Sequence, residues 1–232
     1  MSLYIVSTPI GNRKDVTRRA METLFSVDLI ACEDTRKTGW LLASLSDKKP
    51  PQMIPFHEKN KEEQAAYIIK YLQQGKDVAL VSNAGTPTIA DPGFKLVREC
   101  VSLGIPVLTI PGPSAIIAAL SVSGLPTDKF LFLGFLPKKE GKKRKILTAA
   151  KDLATTPLLP TFIFYESPFR LLKTLKLMKS VLGNVEISIC QELTKVHEEV
   201  VHGNLDEILA QMENKKVKGE VTVLFKLVLV RS

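Results

Sequence analysis

Four short apolar runs, LYIVS (3–7), DLIAC (28–32), DVALVS (77–82) and PVLTI (106–110), recur along the first half of this chain with helix-period segments between them. This alternation of strand-length runs with helical patterns restricts the fold to the α/β class, because each run buries its apolar groups only when its neighbours pair with it and helices cover the sheet. Ala65, Ile68, Ile69 and Leu72 form one apolar face at the 3.6-residue period, and Met21, Leu24 and Phe25 form part of another.

The second half repeats the class with FLFLGF (130–135), TFIFY (161–165), VEISIC (185–190) and the long run EVTVLFKLVLV (220–230), separated by segments such as Leu171, Leu172, Leu175, Met178 and Leu182. Asn204 followed three residues later by Glu207, ahead of Ile208, Leu209 and Met212, predicts a capped helix start. Two sheets of four or five strands suit two domains of roughly 110 residues better than one very wide sheet. The expected boundary lies at Pro111-Gly112-Pro113, giving α/β domains at 1–112 and 113–232 with mixed sheets. Hairpin-compatible runs near 185–203 favour a mixed sheet in the second domain in particular.

Charge narrows the partners. The net charge is +8, and residues 117–232 carry +6 of it, with 18 Lys/Arg against 12 Asp/Glu. Such an excess raises the local concentration of a polyanion, nucleic acid included, without specifying a sequence. Cys32, Cys100 and Cys190 are odd in number and widely spaced, which fits neither a disulfide framework nor a zinc site, and His57, His197 and His202 stand at no metal-ligand spacing, so no metal is expected. The start MSLYIV reads as a strand, and no apolar run reaches the ~18 residues that span a bilayer, so a cytoplasmic protein with no membrane partner is expected.

Strand ends lead into four loops rich in Gly, Pro and small polar residues: STPIGN (7–12), SNAGTPTIADPG (82–93), PGPSA (111–115) and YESP (165–168). Ligands of open α/β sheets bind outside the carboxyl ends of strands, so these loops are the candidate site. In the longest, Gly85 removes a side chain and opens backbone angles, while Thr86-Pro87 and Asp91-Pro92 stiffen the loop. Asp91 and Pro92 read equally well as N-cap and first residue of a helix at 94–103, and Ser114 as the cap of one at 115–123. In YESP, Ser167 and Pro168 have the form of a helix start, which leaves Tyr165 and Glu166 as ligand candidates.

Charged residues meet in CEDTRKT (32–38) and QELTKVHEE (191–199), where Glu33, Asp34, Arg36 and Lys195 suit a general base, a substrate clamp or simple salt bridges. KKEGKKRK (138–145) has six basic residues in eight, fit for phosphate contact or for a solvated loop. GxxxxGK[ST], GxGxxG after the first strand and GxSxG are all missing, which argues against a P-loop NTPase, the usual dinucleotide-binding half and an α/β-hydrolase elbow.

Taken in order, TPIGN (8–12), DLIACEDTR (28–36), LVSNAGTPTIADPG (80–93), IPGPSA (110–115), SGLPTDKFLFLGFLPKK (123–139), FYESPFR (164–170), ELTKVHEE (192–199) and KGE (218–220) resemble the ribosomal RNA small-subunit methyltransferase I family, of the tetrapyrrole-methylase class. The resemblance implies two α/β domains, S-adenosylmethionine in the cleft between them and commonly a homodimer. It implies methyl transfer to the ribose 2'-hydroxyl of a cytidine in the decoding region of small-subunit rRNA, free or in the assembled subunit. By the same resemblance the cofactor touches Ser82, Asn83, Ala84, Gly85, Thr86, Pro87, Ser114, Ala115, Tyr165 and Gly219, with Glu166 beside them and Pro9, Gly11 and Asn12 lining the cleft. Glu33, Asp34, Arg36 and Lys195 fall at the reacting end, and Arg36, Lys138, Lys139, Lys142, Lys143 and Arg144 are the expected RNA contacts.

The chain departs from the family pattern at three points: Asn83 stands where aspartate is usual, Phe169 where histidine is frequent, and Arg13-Lys14 where an apolar-acidic pair is usual. Family members often carry a further segment beyond the strand that follows KGE. Two rival functions remain at this stage: a porphyrinoid methylase of the same fold, with an apolar cleft and a dispensable basic run, and a non-catalytic RNA-binding protein.

Overall fold

Each apolar run of the first half becomes a strand in the computed structural model, which describes residues 1–153, 159–213, 215 and 217–227. The chain divides into two units, Met1–Ser114 and Ala115–Ser232. The first contains β1 (Leu3–Val6), α1 (Arg18–Ser26), β2 (Leu29–Cys32), α2 (Thr35–Leu45), β3 (Gln52–Pro55), α3 (Lys61–Gln73), β4 (Val78–Val81), α4 (Phe94–Ser102) and β5 (Val107–Ile110). The strands lie in the order β3-β2-β4-β1-β5, and every pairing is parallel.

Two-sided burial explains the unbroken apolar runs of β2 and β4, all of whose residues are buried. Leu29, Ala31, Val78 and Leu80 face Ile68, Leu72, Leu96 and Cys100 on one side, while Ile30, Cys32, Ala79 and Val81 face Ala20, Leu24 and Leu42 on the other. Each such leucine or isoleucine stabilises the unit by roughly 1.5–3 kcal/mol relative to exposure.

The second unit contains α5 (Ala115–Val122), β6 (Phe130–Phe135), α6 (Glu140–Leu153), β7 (Thr161–Glu166), α7 (Pro168–Leu182), β8 (Glu186–Gln191), β9 (Glu199–Asn204), α8 (Leu205–Glu213) and β10 (Val221–Lys226). Its sheet runs β6-β7-β10-β8-β9; β6 and β7 are parallel and the remaining pairs antiparallel. Phe162, Phe164, Val223 and Phe225 pack with Leu147, Leu175, Met178 and Ile208 of α6, α7 and α8, and α5 lies against β10. The Asn204–Glu207 pattern forms a reciprocal cap: Glu207 N donates to Asn204 Oδ1 and Asn204 N to Glu207 Oε2, both at 3.2 Å.

Several details differ from the sequence expectations. The first sheet is wholly parallel rather than mixed, because all its connections are crossovers. Strand β3 was not foreseen: QMIP is an edge strand whose residues are half-buried or exposed, so it lacks the apolar run that marks its neighbours. Helix α4 begins at Phe94 with Gly93, not Asp91, at its N-cap and no side-chain cap; Gly93 has φ +134°, and a Cβ there would lie 2.7 Å from Leu80 Cδ2. The basic stretch at 138–145 is not a loop, since α6 starts at Glu140 and turns Lys143, Leu147 and Ala150 inward at helical spacing. Strand β10 ends at Lys226, and the later part of its predicted run, 228–230, lies outside the described residues.

Candidate active site

In a parallel sheet all carboxyl ends lie on one edge, so the loops after β2, β4, β1 and β5 emerge side by side. Hydrogen bonds stitch them together. Thr8 and Gly85 form a two-way backbone bridge, Thr8 N to Gly85 O at 2.9 Å and Gly85 N to Thr8 O at 3.0 Å. Ser7 Oγ lies 2.9 Å from Thr86 Oγ1, and Thr86 Oγ1 donates to Pro113 O at 3.3 Å. Thr8 Oγ1 donates to Ser82 O at 3.3 Å, Ser82 Oγ to Ala84 O at 3.2 Å, and Asn83 N to Glu33 Oε2 at 3.4 Å.

The 82–93 loop is held in a conformation that few residues adopt. Gly85 has φ +78° and a buried bare Cα, where a Cβ would meet Ile10 Cγ2 at 3.4 Å; Thr88 and Ala90 also have positive φ, 74° and 61°. Such backbone costs of order 1–3 kcal/mol per residue and persists only where the surroundings over-determine it, as they do at ligand clamps. Within this loop Asn83 Oδ1 is buried with no hydrogen-bond partner. An orphaned acceptor costs about 1–3 kcal/mol, and a hydroxyl or amine of a bound molecule would satisfy it.

The remaining expected contacts divide. Pro9 and Pro87 are buried and Ala84 half-buried within the stitched loops, while Gly11 is exposed. Asn12 caps the short 3-10 turn Arg13–Asp15, accepting from Lys14 N at 3.0 Å. Ser114 is half-buried and Ala115 opens α5.

Of the four charged candidates, Asp34 is the N-cap of α2. It accepts from Arg36 N (2.9 Å) and Lys37 N (3.4 Å) and pairs with the Arg36 guanidinium at 3.1 Å. The Arg36 side chain, together with these backbone N–H groups, holds its carboxyl at about 2, too low for an effective base at neutral pH. Arg36 projects into solvent. Glu33, half-buried at the end of β2, is the carboxylate tied to the 82–93 loop.

In the second unit the carboxyl ends of β6, β7 and β8 share an edge with the start of β10. Lys195 pairs there with Glu192 Oε1 at 2.8 Å and Glu220 Oε2 at 3.5 Å. Partial burial works against its charge, but the two carboxylates outweigh it and keep the ammonium protonated above the usual lysine range. Glu192 Oε1 also accepts from Glu220 N at 3.0 Å. The glutamate fills the space over Gly219, whose φ is +72° and where a Cβ would fall 1.8 Å from Glu192 Oε1. The bare face of Gly219 therefore receives a protein carboxylate rather than standing open to a cofactor. Tyr165, half-buried, has its ring 5.0 Å from Phe132 and 5.2 Å from Phe135.

Two sequence expectations fail here. Glu166 has a full structural role: its Oε2 accepts from Lys143 Nζ at 3.0 Å and Thr174 Oγ1 at 2.7 Å, and its Oε1 accepts from Ser167 N and pairs with Arg170. Its carboxylate is fully buried and has no capacity left for a ligand. Lys143, the other half of this pair, is 5 % exposed and is removed from the set of phosphate contacts, whereas Lys138, Lys139, Lys142 and Arg144 are exposed. Burial of an alternating helical face decided this, and charge counting along the sequence does not reveal it. Ser7, Thr8 and Glu192 lie in stretches the sequence marks, but nothing local singles them out, because their importance lies in cross-loop partners.

Comparison with known proteins fits the geometry. Residues 2–209 match the family described as Tetrapyrrole (Corrin/Porphyrin) Methylases. Among solved structures, a cobalt precorrin-4 methyltransferase superposes with a TM-score of 0.69 at 18% identity, covering 97% of this chain and 94% of its own. The uroporphyrin-III C-methyltransferase from Thermus thermophilus complexed with S-adenosylhomocysteine gives 0.64 at 18% identity, covering 97% of both chains. These define the fold, that of the tetrapyrrole methylases. Curated relatives named ribosomal RNA small subunit methyltransferase I are much nearer: the Thermotoga maritima protein is 44% identical over 96% of both chains, and the Bacillus subtilis protein 43% identical over 94% of this chain and 72% of its own. The chain belongs to the ribosomal RNA small subunit methyltransferase I family of tetrapyrrole methylases.

Proposed function

We propose that this protein methylates small-subunit rRNA with S-adenosylmethionine as donor, and that the acceptor is the ribose 2'-hydroxyl of a cytidine in the decoding region. The observation that carries the reading is the stitched rim of the first unit, four loops joined around a buried acceptor, Asn83 Oδ1, that lacks a partner. The fit to the cofactor is reasonable. A loop turned by Gly85 at φ +78°, lined by hydroxyls and backbone groups and carrying an unfilled acceptor, suits a ribose- and amine-bearing molecule.

Ser82 to Pro87 hold the donor in this reading, with Pro9, Gly11 and Ser114 of the same unit as further contacts and Asn12 bordering them. Bound there, S-adenosylmethionine would supply an electrophilic methyl group on a sulfonium, the C–S bond breaking as the C–O2' bond forms, and the hydroxyl proton would need an acceptor from this chain. Glu33 is the carboxylate to accept that proton, since Asp34 is committed to its cap and Lys195 is held protonated. Arg36, exposed beside it, and Lys138, Lys139, Lys142 and Arg144 supply phosphate contacts that position the RNA; positioning accounts for much of the rate in such a transfer. No helix among the described residues is long and apolar enough to cross a membrane. In this reading the protein acts on ribosomal subunits in the cytoplasm, as a homodimer.

Incubation with labelled cofactor and unmodified small subunits, followed by nucleoside mass spectrometry, tests the proposal. A ribose-methylated cytidine in the decoding region is expected, and its absence defeats the reading. Glu33→Gln should bind cofactor and RNA normally yet lose roughly 10²–10⁴-fold in turnover, the usual scale of general-base catalysis.

A further inference from the structure

The edge strand β6 carries an aromatic stripe that the activity above leaves unused. Phe130 pairs with Thr161 and Phe132 with Ile163, so both lie on the sheet face opposite the α6–α8 core. Regular alternation would put Gly134 next on that face and turn Phe135 toward the other. A bulge prevents this: three residues of β6 advance against two of β7, Gly134 takes φ +66°, and Phe135 pairs with Tyr165. Phe130, Phe132 and Phe135 therefore line one face, with both Phe132 and Phe135 against the Tyr165 ring.

This face is open. Phe130 is 43% and Phe135 60% exposed, although burying a phenylalanine is worth roughly 1.5–3 kcal/mol. The stripe runs to the sheet edge where Lys195 and Gly219 lie. Lys138, Lys139 and Lys142, all exposed, follow Phe135 after Leu136 and Pro137, while the buried Lys143–Glu166 pair fixes α6 beside them. Phe169, almost wholly exposed in the first turn of α7, adds a ring just beyond β7.

We propose that Phe130 and Phe135 form a stacking platform for unpaired bases of single-stranded RNA, with Lys138, Lys139 and Lys142 holding the adjoining phosphates. Exposed aromatic rings on a sheet face next to cations are the chemistry that takes splayed-out bases, and duplex RNA offers no free base faces to such a surface. The bulge at Gly134 is what extends the platform to Phe135. The inference rests on RNA being the substrate and adds how that RNA is gripped.

The test uses the full chain and a fluorescein-labelled single-stranded oligoribonucleotide of mixed sequence, followed by anisotropy across a salt series. Phe130→Leu/Phe135→Leu keeps apolar bulk but loses the ring faces; it should bind about tenfold or more weaker, with an unchanged slope of log affinity against log salt. Phe135→Trp should retain affinity, and Lys138→Ala/Lys139→Ala/Lys142→Ala should flatten the slope. Wild type should prefer the single strand to a duplex of the same sequence, and the double leucine variant should lose that preference. Melting midpoints within a few degrees of wild type separate lost stacking from unfolding. Unchanged RNA affinity in the double leucine variant overturns the platform, and if sedimentation shows a changed assembly state in that case, the stripe is a contact between copies instead. Methylation of small subunits by wild type, measured in parallel, keeps the two readings apart: no methyl transfer alongside intact stacking defeats only the proposed activity.

Discussion

The strand-end loops of the two units are pinned by different chemistry. In the first, hydroxyls and backbone amides join the loops, as in Ser7–Thr86, Thr8–Gly85 and Thr86–Pro113, with Glu33 the single carboxylate among the stitches described above. In the second, ions do the work: Glu166 with Lys143 and Arg170, and Glu192 with Lys195. Sheet topology accounts for the contrast. Parallel neighbours deliver their loops side by side, within reach of short neutral groups. In the second unit Lys195 joins the end of β8 to the start of the antiparallel β10, and Lys143 of α6 and Arg170 of α7 reach the end of β7 from its flanking helices, gaps that long cationic side chains span. Neutral stitches tolerate pH and salt, whereas a buried ion pair depends on both partners being present and charged.

The sharpest way to break the comparison is to remove one member of the buried pair. Lys143→Met strands the Glu166 carboxylate with only Arg170, Thr174 and Ser167 for company, and should cost about 3 kcal/mol in urea denaturation, the low end for a broken buried pair. A cost under ~1 kcal/mol would mean that water or Arg170 compensates and that the ionic pin is incidental.

Acid should distinguish the units next. Burial raises the Glu166 carboxyl, but hydrogen bonds from Thr174, Ser167 and Lys143 outweigh it, so its folded value lies below 4.5; Glu192 is likewise lowered, chiefly by Lys195. A depressed carboxylate contributes stability that is present above its unfolded value and lost as pH falls through the folded one. Stability should therefore decline below about pH 4.5, and hydrogen exchange should show β7, β8 and α7 losing protection before β1, β2 and β4. Loss of protection in the parallel sheet first would reverse the assignment.

Gly219→Ala comes third. It forces a side chain into φ +72° and displaces Glu192 from Lys195, for an expected loss of about 1–2 kcal/mol with reduced methyl transfer. An unchanged protein would show that Glu192 need not sit there. The smallest effect belongs to the neutral stitches: Ser7→Ala removes the contact to Thr86 and should cost about 1 kcal/mol, with cofactor affinity in calorimetry falling more than stability does. Equal losses would make Ser7 structural only.

Much of this was legible before any coordinates. Runs such as DVALVS and TFIFY announce buried strands because two-sided burial demands unbroken apolar residues, and Asn204 with Glu207 announces a helix start because both partners lie within one turn. The site was legible in part. SNAGTPTIADPG marks itself by glycine and proline, yet Asp91 proved not to cap α4, and Glu166 and Lys143 looked like surface chemistry while serving the core. QMIP escaped notice because an edge strand need not be apolar.

Local interactions separate what the chain determined alone from what folding decided. Periodicity, capping and glycine placement act within a few residues, so the sequence by itself determined the α/β class and the family. Which charges are buried, which loops touch, and that an extra residue at Gly134 turns Phe135 onto the Tyr165 face were decided only by tertiary structure, since each depends on partners brought together from distant positions by burial and strand pairing.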